Sequence, residues 1–224
     1  MKKIITFFLV FFLLVPFLAE GQIPDRAKEY LPLVDREIKD VWPTHPHKPS
    51  VAAQIEQETC ITLKHSKCWN PKAELKTSRE YGFGLGQITV TSRFNNFNEF
   101  KATDRRLRDW DWEERYDPKR QIIALIAQDK LLYGHIDWSN NKFEKLAFSL
   151  SAYNGGMTGV IRDKELCEEK DSCDPTKWFD NVERYSWKSK TSVHGYGKSF
   201  YEINREYVRN ILKLRYKKYV EYLR

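Results

Sequence analysis

Apolar positions recur three and four residues apart along several stretches of the chain, and each stretch reads as a helix. From Asp25 to Val41, Tyr30, Leu31, Val34, Ile38 and Val41 fall near one face, and Pro43 and Pro46 stop the run. Ser50 is a good N-cap for a helix reaching about Thr59, whose stripe of Val51, Ala52 and Ile55 would pack inward. Asp117-Pro118 opens a helix carrying Ile122, Ile123, Leu125, Ile126, Leu131 and Leu132, closing near Gly134. Another is expected from about Lys142 to Ala152, with Phe143, Leu146, Ala147 and Leu150 on one side. A shorter helix follows Gly156 through Val160 and Ile161, and a long terminal one runs from Phe200 to Leu223. Strand signals are few. Asn70–Thr77 is polar and loop-like, and glycine-rich Glu80–Gly86 predicts a short strand or irregular hairpin. The segments Glu80–Thr91 and Asp174–Gly197 carry no clear period. The pattern is that of a mainly α fold.

The first 21 residues differ in kind. Lys2-Lys3 precede a stretch from Ile4 to Val15 that is apolar except for Thr6, then Pro16 and the small-x-small triplet Ala19-Glu20-Gly21. This is the layout of a secretory signal cut after Gly21, leaving residues 22–224 as one domain. The run is shorter than the ~20 apolar residues that span a bilayer comfortably, which weighs against a retained anchor. The expected location is therefore the periplasm or cell envelope, with membrane contact only transient, through the leader. Four cysteines in an exported chain read as disulfides. Sequence proximity favours Cys60 with Cys68 and Cys167 with Cys173, each small loop contributing roughly 2–3 kcal/mol. Zinc, with His65 between the first pair, is the rival reading, but no Cys-x-x-Cys spacing supports it. The chain carries a formal charge of +7, of which Lys2, Lys3 and Glu20 account for a net +1 in the leader. The positive balance of the remainder suits a polyanionic partner. No recognised module or basic stripe marks it for nucleic acid.

The chemistry is concentrated in three short runs: Gln54-Ile55-Glu56-Gln57-Glu58-Thr59, Gly84-Leu85-Gly86-Gln87, and Ala152-Tyr153-Asn154-Gly155-Gly156. They supply a carboxyl group near a helix end, a glycine turn closed by an amide, and an aromatic-amide-glycine turn. Glu56 and Glu58 point about 200° apart on a helix, so only one can face a given cleft, and periodicity does not choose between them. Glycines let backbone approach a sugar ring, and the Gln87 amide can both donate and accept. Seven tryptophans and twelve tyrosines could stack on sugars, yet most large aromatics belong to cores, and none is singled out.

Gln57-Glu58-Thr59, Asn70-Pro71 and Gly84-Leu85-Gly86-Gln87-Ile88-Thr89 resemble the Glu-Ser, Asn-Pro and Gly-Leu-Met-Gln series of the soluble lytic transglycosylase family. Ala152–Gly156 is similar to its Ala-Tyr-Asn-Ala-Gly motif, Tyr116-Asp117-Pro118 to its Asp-Pro helix entry, and Arg205-Glu206-Tyr207-Val208 to its Thr-Arg-x-Tyr-Val segment. The resemblance spans Ser50 to about Leu214. It implies a lysozyme-like α (α+β) domain with a minor irregular hairpin beside the cleft. It implies Glu58, rather than Glu56, as the single catalytic acid cleaving the bond between N-acetylmuramic acid and N-acetylglucosamine with formation of a 1,6-anhydro ring. Thr59, Thr77, Gln87, Tyr153, Asn154 and Tyr207 are the implied substrate-binding residues, with peptidoglycan strands as partner, no cofactor or metal, and a monomer. A proton donor at neutral pH needs a raised carboxyl pKa, for which Ile55, Leu85 and Tyr207 are the expected apolar walls. Thr59 stands in place of the usual serine, and Gly86 in place of the usual methionine, which removes an apolar groove contact. A muramidase of the same fold, needing a positioned water, and a non-catalytic wall-binding protein are the alternatives. Phage lysis, a secretion-system wall-opener and housekeeping remodelling all fit these residues.

Overall fold

The structure, a computed structural model, describes residues 22–77, 80–193 and 197–224; the leader expected over residues 1–21 lies outside them. The Asp25–Val41 period produces α1 over those residues, burying Ala27, Leu31, Val34, Ile38 and Val41. Helix α2 spans Pro49–Thr59, two residues earlier than a cap at Ser50 would start it, because Pro49 takes the first helical position, where its missing N–H costs nothing. Ser50 sits inside the first turn, its hydroxyl donating to the His47 carbonyl at 2.7 Å instead of capping. Every residue of α2 from Pro49 to Glu56 is buried, so its polar members Gln54 and Glu56 must find partners inside the protein.

Strands β1 (Glu74–Lys76), β2 (Tyr81–Phe83) and β3 (Ile88–Val90) form an antiparallel sheet in that order, with Leu75 opposite Gly82 and Gly82 opposite Thr89. The strand in the stretch expected to be loop-like is three residues long, too short for alternation to register. Helix α3 (Asn96–Thr103) was not expected either. Asn95 caps it by accepting from the Asn98 N–H, and it buries only Phe97 and Phe100. Helices α4 (Pro118–His135) and α5 (Lys142–Gly155) start at the caps Asp117 and Asn141, and α6 (Met157–Glu168) follows the joint at Gly156. Helix α7 (Phe200–Arg209) begins at a reciprocal Ser199–Glu202 capping box. The fold is mainly α, with seven α-helices among the described residues, none long and apolar enough to cross a membrane.

The long terminal helix expected to Leu223 instead ends at Arg209 and continues as a π turn (Asn210–Leu214) and a 3-10 turn (Arg215–Tyr219). These terminal turns pack against α2. Arg215, Lys218 and the Tyr219 hydroxyl all reach the carboxylate of Glu56, which is 0% exposed. Residues 215, 218 and 219 are three and four apart, so they share one face of these turns and converge on a single carboxylate. Both expected disulfides, Cys60–Cys68 and Cys167–Cys173, are formed. Cys60 caps the C-terminus of α2, and the bridge ties it to Cys68, next to Trp69, which is fully buried against Tyr219.

His45 is held neutral in this frame. It is buried against Trp42, its Nδ1 accepts from the His47 N–H at 3.0 Å, and burial together with His47 and Lys48 pushes its pKa down to about 3. A histidine depressed in the folded state contributes stability that is complete above its unfolded value near 6.5 and is lost as pH falls toward 3. His45→Asn, which keeps an acceptor for the His47 N–H, should flatten the fall in melting temperature between pH 6 and 4, scanned by circular dichroism. Identical pH profiles for the two proteins would show that His45 plays no part in acid lability.

Candidate active site

An open cleft of about 1080 Å³ receives the C-terminal end of α2, the sheet, α3, α4 and the joint between α5 and α6. Glu58, in the last turn of α2, lines it. Glu56, two residues earlier, points into the cationic cage described above, away from this space. Part of the Glu58 side chain faces the cleft, but its carboxyl is withdrawn from water, and this desolvation raises its pKa to about 8. The opposing influence is a 2.6 Å hydrogen bond donated by the Tyr207 hydroxyl to Glu58 Oε1, which favours the carboxylate and is the weaker of the two. Ile55 and Leu85 are both fully buried.

Tyr207, from α7, stacks parallel to Tyr153 of α5 with ring centroids 6.5 Å apart, and the Tyr153 hydroxyl donates to the Gly86 carbonyl at 2.8 Å. Desolvation first, and then the nearby Glu58 carboxylate, push both phenols well above their usual range. They therefore remain donors throughout the neutral range. Tyr207, 149 positions along the chain from Glu58, thus meets its carboxyl group, with Tyr153 stacked beside it.

The remaining predicted residues divide by what their polar atoms already do. The Thr59 hydroxyl donates to Ile55 O at 2.7 Å and accepts from Trp69 N at 2.9 Å, so it fastens the disulfide loop to α2. Gln87 lines the cleft, yet its amide nitrogen donates to Gly84 O at 2.9 Å and Ala73 O at 3.3 Å, and its carbonyl oxygen lies close to Gly82 of β2. Asn154 lines the cleft and accepts from Asn204 Nδ2. Thr77 is exposed and closes the β1–β2 turn against Glu80; it is not among the residues lining the cleft. The Leu85 N–H is taken by Gln121 Oε1 at 2.9 Å and is not offered to the cleft.

Gly86 answers the missing methionine. A Cβ there would meet the Tyr153 hydroxyl at 2.7 Å and Leu125 Cδ1 at 3.3 Å, so Leu125 and Tyr153 fill the space a side chain would need. Gly86→Met should displace the Tyr153 phenol, cost about 1–3 kcal/mol in thermal unfolding through overpacking, and disturb the Glu58 environment. An unchanged melting temperature would mean that the turn accommodates the side chain.

Asp129 of α4 escaped the sequence reading. It is 1% exposed and accepts from Gln54 Nε2 at 3.3 Å, one helical turn before Glu58 on α2. Burial raises its pKa well above the usual range, the Gln54 bond opposes this and the Glu58 charge adds to it. The available signal was its position four residues after Leu125 and three before Leu132, on an apolar stripe. Among the described residues, no group of three or more His, Cys, Asp or Glu side chains converges as a metal site. No protein-family model matches the chain, and no match was found among curated proteins.

Proposed function

We propose that the chain is a peptidoglycan lytic transglycosylase with a lysozyme-like domain, exported by its leader and acting as a monomer on glycan strands without a cofactor. The observation that carries this reading is the desolvated Glu58 carboxyl in an open, sugar-sized cleft, protonated at neutral pH and held by Tyr207. Glu58 gives its proton to the glycosidic oxygen as the bond from the muramoyl C1 breaks, releasing the N-acetylglucosamine hydroxyl. The muramoyl 6-hydroxyl then bonds to C1, and its proton passes to the Glu58 carboxylate, restoring the acid. No water is consumed. Tyr207 keeps the carboxylate oriented between the two transfers.

One observation favours a hydrolytic variant of the same reaction. Glu74 also lines the cleft, and the hydroxyls of Tyr116 and Tyr81 on its Oε1 hold its carboxyl below the usual range. An acid raised and a carboxylate lowered in one cleft is the division of labour of inverting glycosidases, where the ionised group activates water. Digestion of purified sacculi followed by mass analysis separates the two outcomes. Transglycosylation yields muramoyl ends lighter by one water than hydrolysis does. Absence of any glycan cleavage would leave a wall-binding role.

A further inference from the structure

Lys188 lies across the joint between α5 and α6, in the segment without a readable period. Its Nζ donates to the Gly155 carbonyl at 2.9 Å and lines the same cleft as Glu58. The space it occupies is made by glycines. A Cβ on Gly155 would meet Nζ at 2.9 Å, and one on Gly159 would meet it closer still. Gly155 is the residue at which this chain's Ala-Tyr-Asn-Gly-Gly run departs from the alanine of the motif it resembles. The backbone carrying the lysine is also pinned. The Trp187 N–H donates to the buried Asp163 at 2.6 Å, and the other Asp163 oxygen takes Arg205 at 2.7 Å.

The ammonium group has three N–H donors, of which Gly155 takes one. No carboxylate among the described residues forms an ion pair with it. Half-burial lowers its pKa, with Asp163 opposing that effect. Lys67, the other lysine lining the cleft, is committed to the Glu74 carbonyl on the sheet side. A cation partly withdrawn from water without a counter-charge is unfavourable, and a bound anion relieves it.

We propose that Lys188 is a carboxylate-binding subsite of the cleft, selecting glycan strands by the anionic group carried on the muramoyl lactyl arm. The proposal rests on the peptidoglycan reading above. Two sources share that chemistry: the stem-peptide carboxylates of substituted strands, and the free lactyl carboxylate of strands stripped of peptide. The bland alternative is that Lys188 only caps the C-terminal carbonyl of α5.

Initial rates are measured on three strands of matched length: peptide-bearing, peptide-stripped, and peptide-stripped with the lactyl carboxyl converted to a neutral amide. Lys188→Met should raise KM roughly tenfold, the equivalent of one charge-assisted hydrogen bond, on strands carrying the recognised carboxylate, the change vanishing on amidated strands. Loss confined to the first strand assigns the stem peptide; loss on the second assigns the lactyl group. Equal loss on all three, or on none, overturns the proposal. Wild-type protein that cleaves none of them overturns the peptidoglycan reading itself. Should Lys188→Met fold poorly, Lys188→Gln keeps a donor for Gly155, and the wild type alone remains informative. Added salt should raise its KM on the recognised strand and leave the amidated strand unaffected; equal salt response on both overturns the subsite.

Discussion

Glu58→Gln should reduce wall lysis by at least about a hundredfold, the usual scale for losing a general acid, while leaving the far-ultraviolet spectrum unchanged. The amide preserves the shape and can still accept from the Tyr207 hydroxyl, so only the transferable proton is removed. The same carboxyl sets a pH signature. With a folded pKa of about 8 against an ordinary 4.5, Glu58 must be protonated to act as a donor, so wild-type activity should fall as pH rises through 8. Its contribution to stability is complete below pH 4.5 and disappears as pH rises through 8, because deprotonation inside the fold is harder than in the unfolded chain. Glu58→Gln should therefore show a shallower decline in melting temperature between pH 5 and 9. Turbidity of sacculus suspensions and thermal melts across that range measure both effects. Full lysis by the variant would remove Glu58 from the mechanism.

The second large effect is on stability. Arg205 is 6% exposed and binds the 1%-exposed Asp163, the Glu183 and Tyr185 carbonyls and Asn204. Its guanidinium also lies over the rings of Trp178 and Tyr201. Arg205→Met leaves Asp163 buried without its counter-charge, a loss of about 3–5 kcal/mol and on the order of 10 °C in melting temperature. Asp163→Asn in the same chain should recover part of that loss, since the uncompensated charge is then gone. Because Arg205 anchors α7 two residues before Tyr207, and Asp163 holds the backbone before Lys188, activity should fall with stability. A melting temperature within about 2 °C of wild type would show that the ion pair is dispensable.

These two residues illustrate different degrees of legibility. Arg205 was visible as part of a motif, but nothing local indicated that it is a buried hub, since its partners Asp163 and Glu183 lie 42 and 22 residues away. Glu58 was chosen over Glu56 only by resemblance. Both sit on a helix buried from Pro49 to Glu56, where an apolar stripe no longer marks one inward face. Gln87 and Thr59 read as ligand-binding groups because their chemistry permits it. In the fold, the Gln87 amide nitrogen and the Thr59 hydroxyl are committed to nearby backbone.

Local order was written in the chain: the 3.6-residue period of α1, α4 and α5, the helix start at Asp117-Pro118, and cysteine pairs close enough to close on themselves. Such features depend on interactions within a turn or a short loop, so neighbouring residues suffice to specify them. The character of each carboxyl group was decided elsewhere. Glu56 became a caged anion through residues 159 to 163 positions away, and Glu58 a retained acid beside a tyrosine 149 positions away. Asp129 became a buried group with a raised pKa, accepting from Gln54 of α2. A carboxyl's protonation state depends on how much water and which charges surround it, and both are set only when distant segments of the chain come together.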